Sequence, residues 1–249
     1  MKLDDIKKLH QKKYRSQFGY YLVEGEHLVA ELIKASSMSD SEQRITLYIT
    51  EDYQRWVADN SVAYEVVVLN AKQMSQISDT KTPQGIIACV PLPSALDKPN
   101  ERGPSRAVYL HEVQDPGNLG TILRSMAWFG NFRLLLSPNS VDPFNSKVVR
   151  ASMGAIFHVP LELDVSLDSL TTRFSRFAYL DMQGTAITDS AFNEFDCYLF
   201  GNEARGVPRN ALKECNALPF TIEGSGAIDS LNLASAVNIS LFQLSQAPR

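Results

Sequence analysis

Short apolar runs alternate with stretches of helical periodicity along this chain, and turn residues separate them. In the first half, Glu24–Ala35 carries apolar residues at helical spacing, and Arg44–Thr50, Tyr64–Asn70 and Gly85–Val90 are strand-like runs. Helical segments at Asp52–Ala58 and Ala71–Ile77 fall between them. The second half has apolar strands at Ala107–Val113, Phe132–Leu136, Ala178–Met182, Tyr198–Gly201 and Ala217–Ile222, with helices filling the gaps. Strands alternating with helices predict an α/β protein: a C-terminal, mostly parallel sheet with helices on both faces, plus a small N-terminal α/β domain. Pro91, Pro93, Pro99 and Pro104 crowd the stretch between the halves and cannot continue a helix or an inner strand. The expected organisation is therefore a domain over residues 1–92, a linker over 93–105 and a second domain over 106–249. The final segment, LNLASAVNISLFQL from Leu231, has apolar residues around most of its circumference and predicts a helix buried all round.

Composition narrows the class. The 249 residues are 44% hydrophobic and 21% charged, with a net charge of -4, as expected of a globular chain with a sizeable core. No apolar run approaches the roughly 18 residues needed to cross a bilayer, and the start MKLDDIKKLH has no signal-peptide core, so a cytoplasmic location is expected. Cys89, Cys197 and Cys215 form no CxxC pair, and His10, His27, His111 and His158 show no ligand spacing, so neither a disulfide framework nor a metal site is indicated. Lys2, Lys7, Lys8, Lys12, Lys13 and Arg15 concentrate positive charge at the start, and Tyr14, Phe18, Tyr20 and Tyr21 follow. Two readings fit this window: phosphate-binding charges beside stacking rings, or a solvated helix face above core aromatics.

Three strand-end segments carry candidate chemistry. Asp115-Pro116-Gly117-Asn118 is a turn opening a helix with one arginine, Arg124, on an otherwise apolar body, the arrangement that presents backbone N–H groups to an anion. A second strand stops at Gly201, turns through Asn202 and Glu203, and restarts near Pro208. A third runs from Ile222 through Glu223, Gly224 and Gly226 to Asp229, Ser230, Leu231 and Asn232, with Asp229 or Ser230 as the expected cap of the last helix. Each alone has an ordinary structural explanation in turns and caps. Together they gather at one edge of a parallel sheet, where α/β proteins bind ligands.

The segments NLGTILR (from Asn118), LFGNEARGV (from Leu199) and IDSLNLASA (from Ile228) resemble the three motifs of the SpoU/TrmH family of RNA ribose methyltransferases, of the SPOUT class. Asn145–Pro160 and Gly19–Ile33 are similar to further family segments. The resemblance implies S-adenosylmethionine-dependent methylation of a ribose 2′-hydroxyl in structured RNA, transfer or ribosomal, by a homodimer that requires no metal; no membrane partner is expected from the apolar runs. It also implies a deep trefoil knot in the C-terminal domain and an RNA-binding role for the N-terminal one. Carried over by position, Arg124, Asn118, Glu203, Ser230 and Asn232 would be the catalytic set, with Gly201, Ile222 and Leu231 holding the cofactor. The chain departs from the family pattern at Glu223 and Gly224, where proline and methionine are usual.

A guanidinium stays protonated in proteins, so Arg124 suits an electrostatic grip on the phosphate beside the target ribose better than the role of a base. A non-catalytic RNA-binding protein on the same fold is the alternative. It would have no use for Arg124, Glu203 and Asn232 together. A nucleotide-dependent oxidoreductase is disfavoured because no GxGxxG turn follows a strand.

Overall fold

The computed structural model describes residues 1–36, 45–60, 64–93 and 106–246; the expected linker lies outside them except for Pro93. The chain forms two compact units. One comprises Met1–Lys98 and Asp142–His158, the other Pro99–Val141 and Val159–Arg249. Asp142–His158, inside the expected domain over 106–249, groups by its contacts with the N-terminal unit.

That first unit contains α1 (Leu3–Lys8), α2 (Lys12–Phe18), β1 (Tyr20–Glu24), α3 (Glu26–Ser36), β2 (Thr46–Ile49), α4 (Gln54–Asp59), β3 (Glu65–Val68), α5 (Ala71–Ile77) and β4 (Ile86–Pro91). The strand order is β1-β4-β2-β3, with β4 antiparallel to both neighbours and β2 parallel to β3. Gly19, at φ 75, ends α2 in the left-handed conformation and lets β1 start at once. β1 was not expected, because its run YYLVE is buried along its centre and shows no period-two alternation. α5 spans the expected residues and is fixed by a capping box, Asn70 and Gln73 bonding each other's backbone N–H at 2.9 and 3.0 Å.

The returning segment is bound into this unit by buried contacts. Its helix, Ser146–Ser152, packs on β1, and the ring of Phe144 lies 4.8 Å from that of Tyr21. Arg15 is buried, with Nε donating to Asp142 Oδ2 at 2.9 Å and Nη1 to the Leu9 carbonyl at 2.8 Å. Asp79 accepts from Ser146 Oγ at 2.7 Å and Arg150 Nη2 at 3.2 Å; burial works against its charged form, but these two bonds hold its carboxyl below the usual range. The N-terminal basic window therefore divides. Arg15 and Tyr21 serve the interior, whereas Lys2, Lys7, Lys12 and Lys13 are exposed and Tyr14, Phe18 and Tyr20 half-buried.

The second unit is built on β5 (Arg106–Leu110), α6 (Pro116–Phe129) and β6 (Phe132–Leu136). After the helix Ser146–Ser152, which is α7 in chain order, come β7 (Leu161–Glu162), α8 (Leu167–Arg173), β8 (Ala178–Ala186), β9 (Cys197–Phe200), α9 (Arg209–Glu214), β10 (Leu218–Thr221) and α10 (Leu233–Ser245). Six strands in the order β10-β8-β9-β5-β6-β7 are parallel throughout. On one face, Ala107, Tyr109 and Leu199 pack with Leu170 of α8 and Leu212 of α9; α6 packs against β6 and α10. Burial pushes the Tyr109 phenol up to about 12, and its hydroxyl donates to the Val165 carbonyl at 3.1 Å.

β6 matches its expected span. β8 runs four residues past its expected end at Met182, as a largely exposed arm that β10 alone continues to pair, and the two-residue β7 was not expected. α10 begins at Leu233 and is not buried all round: Ile239 is 40% and Phe242 53% exposed.

Candidate active site

The turn after β5 is fixed by local and distant bonds. Asp115 caps α6, its Oδ1 accepting from the Asn118 N–H at 2.7 Å, and Pro116 takes the first helical position, where its missing N–H costs nothing. Before it, Glu112 sits at φ 51, left-handed backbone that a side chain bearing a Cβ rarely adopts. It is held there from both sides. Its N–H donates to Ser137 Oγ at 2.7 Å, and its carbonyl accepts from Asn202 Nδ2 at 2.6 Å and Gln114 Nε2 at 3.1 Å.

The turn after β9 is closed on itself. Asn202 and Gly206 exchange backbone hydrogen bonds at 3.0 and 2.8 Å, and Asn202 Oδ1 accepts from the N–H groups of Ala204 and Arg205 at 2.9 and 3.0 Å. A Cβ on Gly201 would lie 2.3 Å from the carbonyl carbon of Gly206, so only glycine fits. The closed turn presents Glu203 to the first one. Its carboxylate accepts from the N–H groups of Gln114 and Asp115 and from Asn118 Nδ2, each at 3.2 Å.

The third turn joins through Asn232. Asn232, and not Asp229 or Ser230 as expected, caps α10, its Oδ1 accepting from the Ser235 N–H at 3.3 Å. Its Nδ2 donates to Asn118 Oδ1 at 2.9 Å. A carboxylate only accepts, so Glu203 draws the amino end of Asn118 toward itself and leaves the Asn118 oxygen for Asn232. Three of the expected residues thus form one directed chain, from Asn232 through Asn118 to Glu203.

Arg124 stands nearly two turns further along α6 than Asn118. It shares an exposed stripe with Gly117, Thr121 and Trp128, and makes no hydrogen bond or ion pair among the described residues. Ser230 is exposed in the loop before α10, apart from the three-residue chain.

Of the expected cofactor residues, Gly201 closes the second turn and Ile222 and Leu231 bound the third. The backbone of residues 222–231 makes no hydrogen bond to another backbone group among the described residues. Ile228 is 71% and Leu231 45% exposed. The Ala227 N–H donates to Ser225 Oγ at 3.4 Å; uncommitted main-chain groups among the rest, beside bare aliphatic side chains, are what a purine ring and an amino-acid tail require, so these residues fit S-adenosylmethionine.

Sequence reasoning did not single out Glu112. It lines an open cavity of about 510 Å³ with Gln114, Asn139, Asn202, Ala204 and Arg205, and its carboxylate is ion-paired with Arg205. A glutamate before a turn carries no local signal of left-handed backbone, and Arg205 is 93 residues away. Beside it, burial lowers the pKa of His111.

Residues 105–242 match the family model described as the SpoU rRNA Methylase family, and residues 2–88 match an MRM3-like substrate binding domain. The chain belongs to the SpoU rRNA methylase family. It is 31% identical over 253 residues to the 23S rRNA (guanosine(2553)-2'-O)-methyltransferase RlmP of Bacillus subtilis, covering 98% of this chain and 95% of the relative. Among solved structures, a putative RNA methyltransferase of the TrmH family from Porphyromonas gingivalis is 29% identical with a TM-score of 0.81, covering 97% of this chain and 96% of that one. An AdoMet-bound rRNA methyltransferase from Sinorhizobium meliloti is also 29% identical, with a TM-score of 0.79 and coverages of 97% and 93%.

Proposed function

We propose that this protein methylates the 2′-hydroxyl of a ribose in ribosomal RNA, using S-adenosylmethionine. The observation that carries this reading is the side-chain chain from Asn232 through Asn118 to Glu203, which ties the two turns assigned to the cofactor to the turn that opens α6. Bound S-adenosylmethionine supplies an electrophilic methyl group on a sulfonium. The protein's task is to align the ribose oxygen with it and to ease loss of the hydroxyl proton. Holding two reactants in attack geometry is worth about 7–11 kcal/mol of barrier. In this reading Asn118 orients the ribose, fixed by its two partners, and Glu203 holds the first turn through its backbone amides. Arg124, with no hydrogen-bond or ion-pair partner among the described residues, grips the phosphate beside the target with its planar fork. The 2′-hydroxyl proton leaves to that phosphate or to water, and Ser230 closes the site from the third loop.

Three further parts belong to the same proposal. The second unit is a deep trefoil knot, as the family resemblance implies. The protein is a homodimer, supported by an apolar face across α6 and α10 on which Trp128 is 85% exposed and the rings of Phe129 and Phe242 lie 6.2 Å apart. It works in the cytoplasm, with the exposed lysines of the first unit meeting RNA; no helix among the described residues is long and apolar enough to cross a membrane.

The test is transfer of labelled methyl from S-adenosylmethionine to an unmodified bacterial 23S rRNA transcript, followed by mapping of the modified ribose. Label at one ribose is the expected result. Tight RNA binding with no transfer would favour the non-catalytic alternative.

A further inference from the structure

The cavity beside the first turn bears on which nucleotide is methylated. All its lining residues but Ala204 carry polar side chains, and its one charged pair is Glu112 with Arg205. The Glu112 side chain is 25% exposed and that of Arg205 67%, so the carboxylate lies deeper and the guanidinium at the mouth. Beyond its bond to Arg205, the Glu112 carboxylate accepts from no other group among the described residues, and the Arg205 side chain likewise donates only to Glu112. The pair therefore presents spare acceptor positions beside spare donors. Asparagine or glycine takes left-handed backbone more readily than glutamate. A glutamate clamped there by Ser137, Asn202 and Gln114 is accounted for by what its carboxylate does in the cavity.

We propose that this cavity receives the base of the target nucleotide and selects guanine, with Glu112 accepting from N1–H and the N2 amino group and Arg205 donating to O6. This rests on the methyltransferase reading above. Guanine alone among the four bases has two adjacent donors followed by an acceptor along its pairing edge. Adenine and cytosine each offer a single amino donor next to acceptors, and uracil one donor between two acceptors. A carboxylate beside a guanidinium complements the guanine edge, and the ion pair need not break when the base enters. The cavity adjoins the side-chain chain through Asn202, which bonds the Glu112 carbonyl and precedes Glu203.

The test begins by mapping the ribose that the wild-type protein methylates in a 23S rRNA transcript. Short RNAs spanning that site are then made with guanosine, inosine or adenosine at the target. The wild type is expected to prefer guanosine over inosine, which lacks the N2 amino group, by about tenfold or more in kcat/KM, the scale of one good bidentate base contact. Glu112→Gln, nearly isosteric, and Glu112→Ala should lose that preference, with guanosine falling to the level of inosine and cofactor affinity unchanged. A mapped target other than guanosine, or an undiminished preference in folded Glu112→Gln, overturns the proposal. Failure of the wild type to methylate any RNA would instead overturn the methyltransferase reading on which it depends.

Discussion

The turns after β5 and β10 leave the same parallel sheet, yet they are stabilised in opposite ways. In the first, Glu112, Gln114, Asp115 and Asn118 are tied by bonds from Ser137, Asn202, Glu203 and Asn232. In the third, ten successive residues from Ile222 to Leu231 have no backbone partner among the described residues, and two aliphatic side chains face solvent. On the proposed reading the first turn holds an RNA sugar in line, and it gains from being set in advance, since misplacement by about 1 Å costs on the order of a hundredfold in rate. A loop that binds its ligand through main-chain groups must keep those groups uncommitted.

Variants at the two turns should separate these roles. The largest effect is expected at Arg124, which has no partner among the described residues and is assigned to RNA: Arg124→Ala should lower methyl transfer by about 10²–10³-fold or more, the scale of a lost electrostatic contact at the reacting group. Calorimetry should find S-adenosylmethionine affinity within about twofold, since RT ln 2 is only ~0.4 kcal/mol. Equal loss of cofactor binding would place Arg124 on the other side of the site. Glu203→Ala comes next. It frees Gln114, Asp115 and Asn118 at once, and transfer should fall about tenfold, with about 1 kcal/mol lost from stability for the hydrogen bonds removed. Single-turnover rates and thermal unfolding would measure the two parts, and a change in stability alone would leave Glu203 purely structural.

Asn232 allows a finer division. Asn232→Asp keeps an N-cap but cannot donate to Asn118, so transfer should drop with melting temperature nearly unchanged; Asn232→Ala should also cost about 1 kcal/mol. If both variants transfer methyl groups normally, the link between the first and third turns does nothing for catalysis. The smallest perturbation is the cofactor itself. Saturating S-adenosylmethionine should slow amide hydrogen exchange across residues 222–231 and leave 112–118 almost as before; uniform protection of both turns would erase the contrast.

Legibility in the sequence follows the range of the interactions. α6 could be read because its start is written locally, in Asp115 and Pro116, and α5 for the same reason in Asn70 and Gln73. The residues proposed for the site are read from their likeness to three family motifs. Their connections are not, because Glu203 is 85 residues from Asn118, and Asn118 is 114 from Asn232. The cap of α10 was misplaced for a related reason. Asp229, Ser230 and Asn232 all suit a cap, and the bond from Asn118, invisible locally, coincides with the choice of Asn232. Glu112 escaped notice since neither its left-handed backbone nor its distant arginine leaves a local trace.

The segment Asp142–His158 has a bearing on how such a protein can be taken apart or inherited in pieces. Its buried Phe144, Val148, Val149 and Ile156 belong to the unit formed by the first 98 residues. A chain beginning at Arg106 would keep this segment and lose the surface that covers it, leaving an apolar strip exposed in the middle of the remaining half. The N-terminal half alone would lack the carboxylate that neutralises buried Arg15. Cutting at the proline-rich stretch therefore parts residues that pack together, and a boundary that keeps those contacts has to carry residues 142–158 along with the first unit.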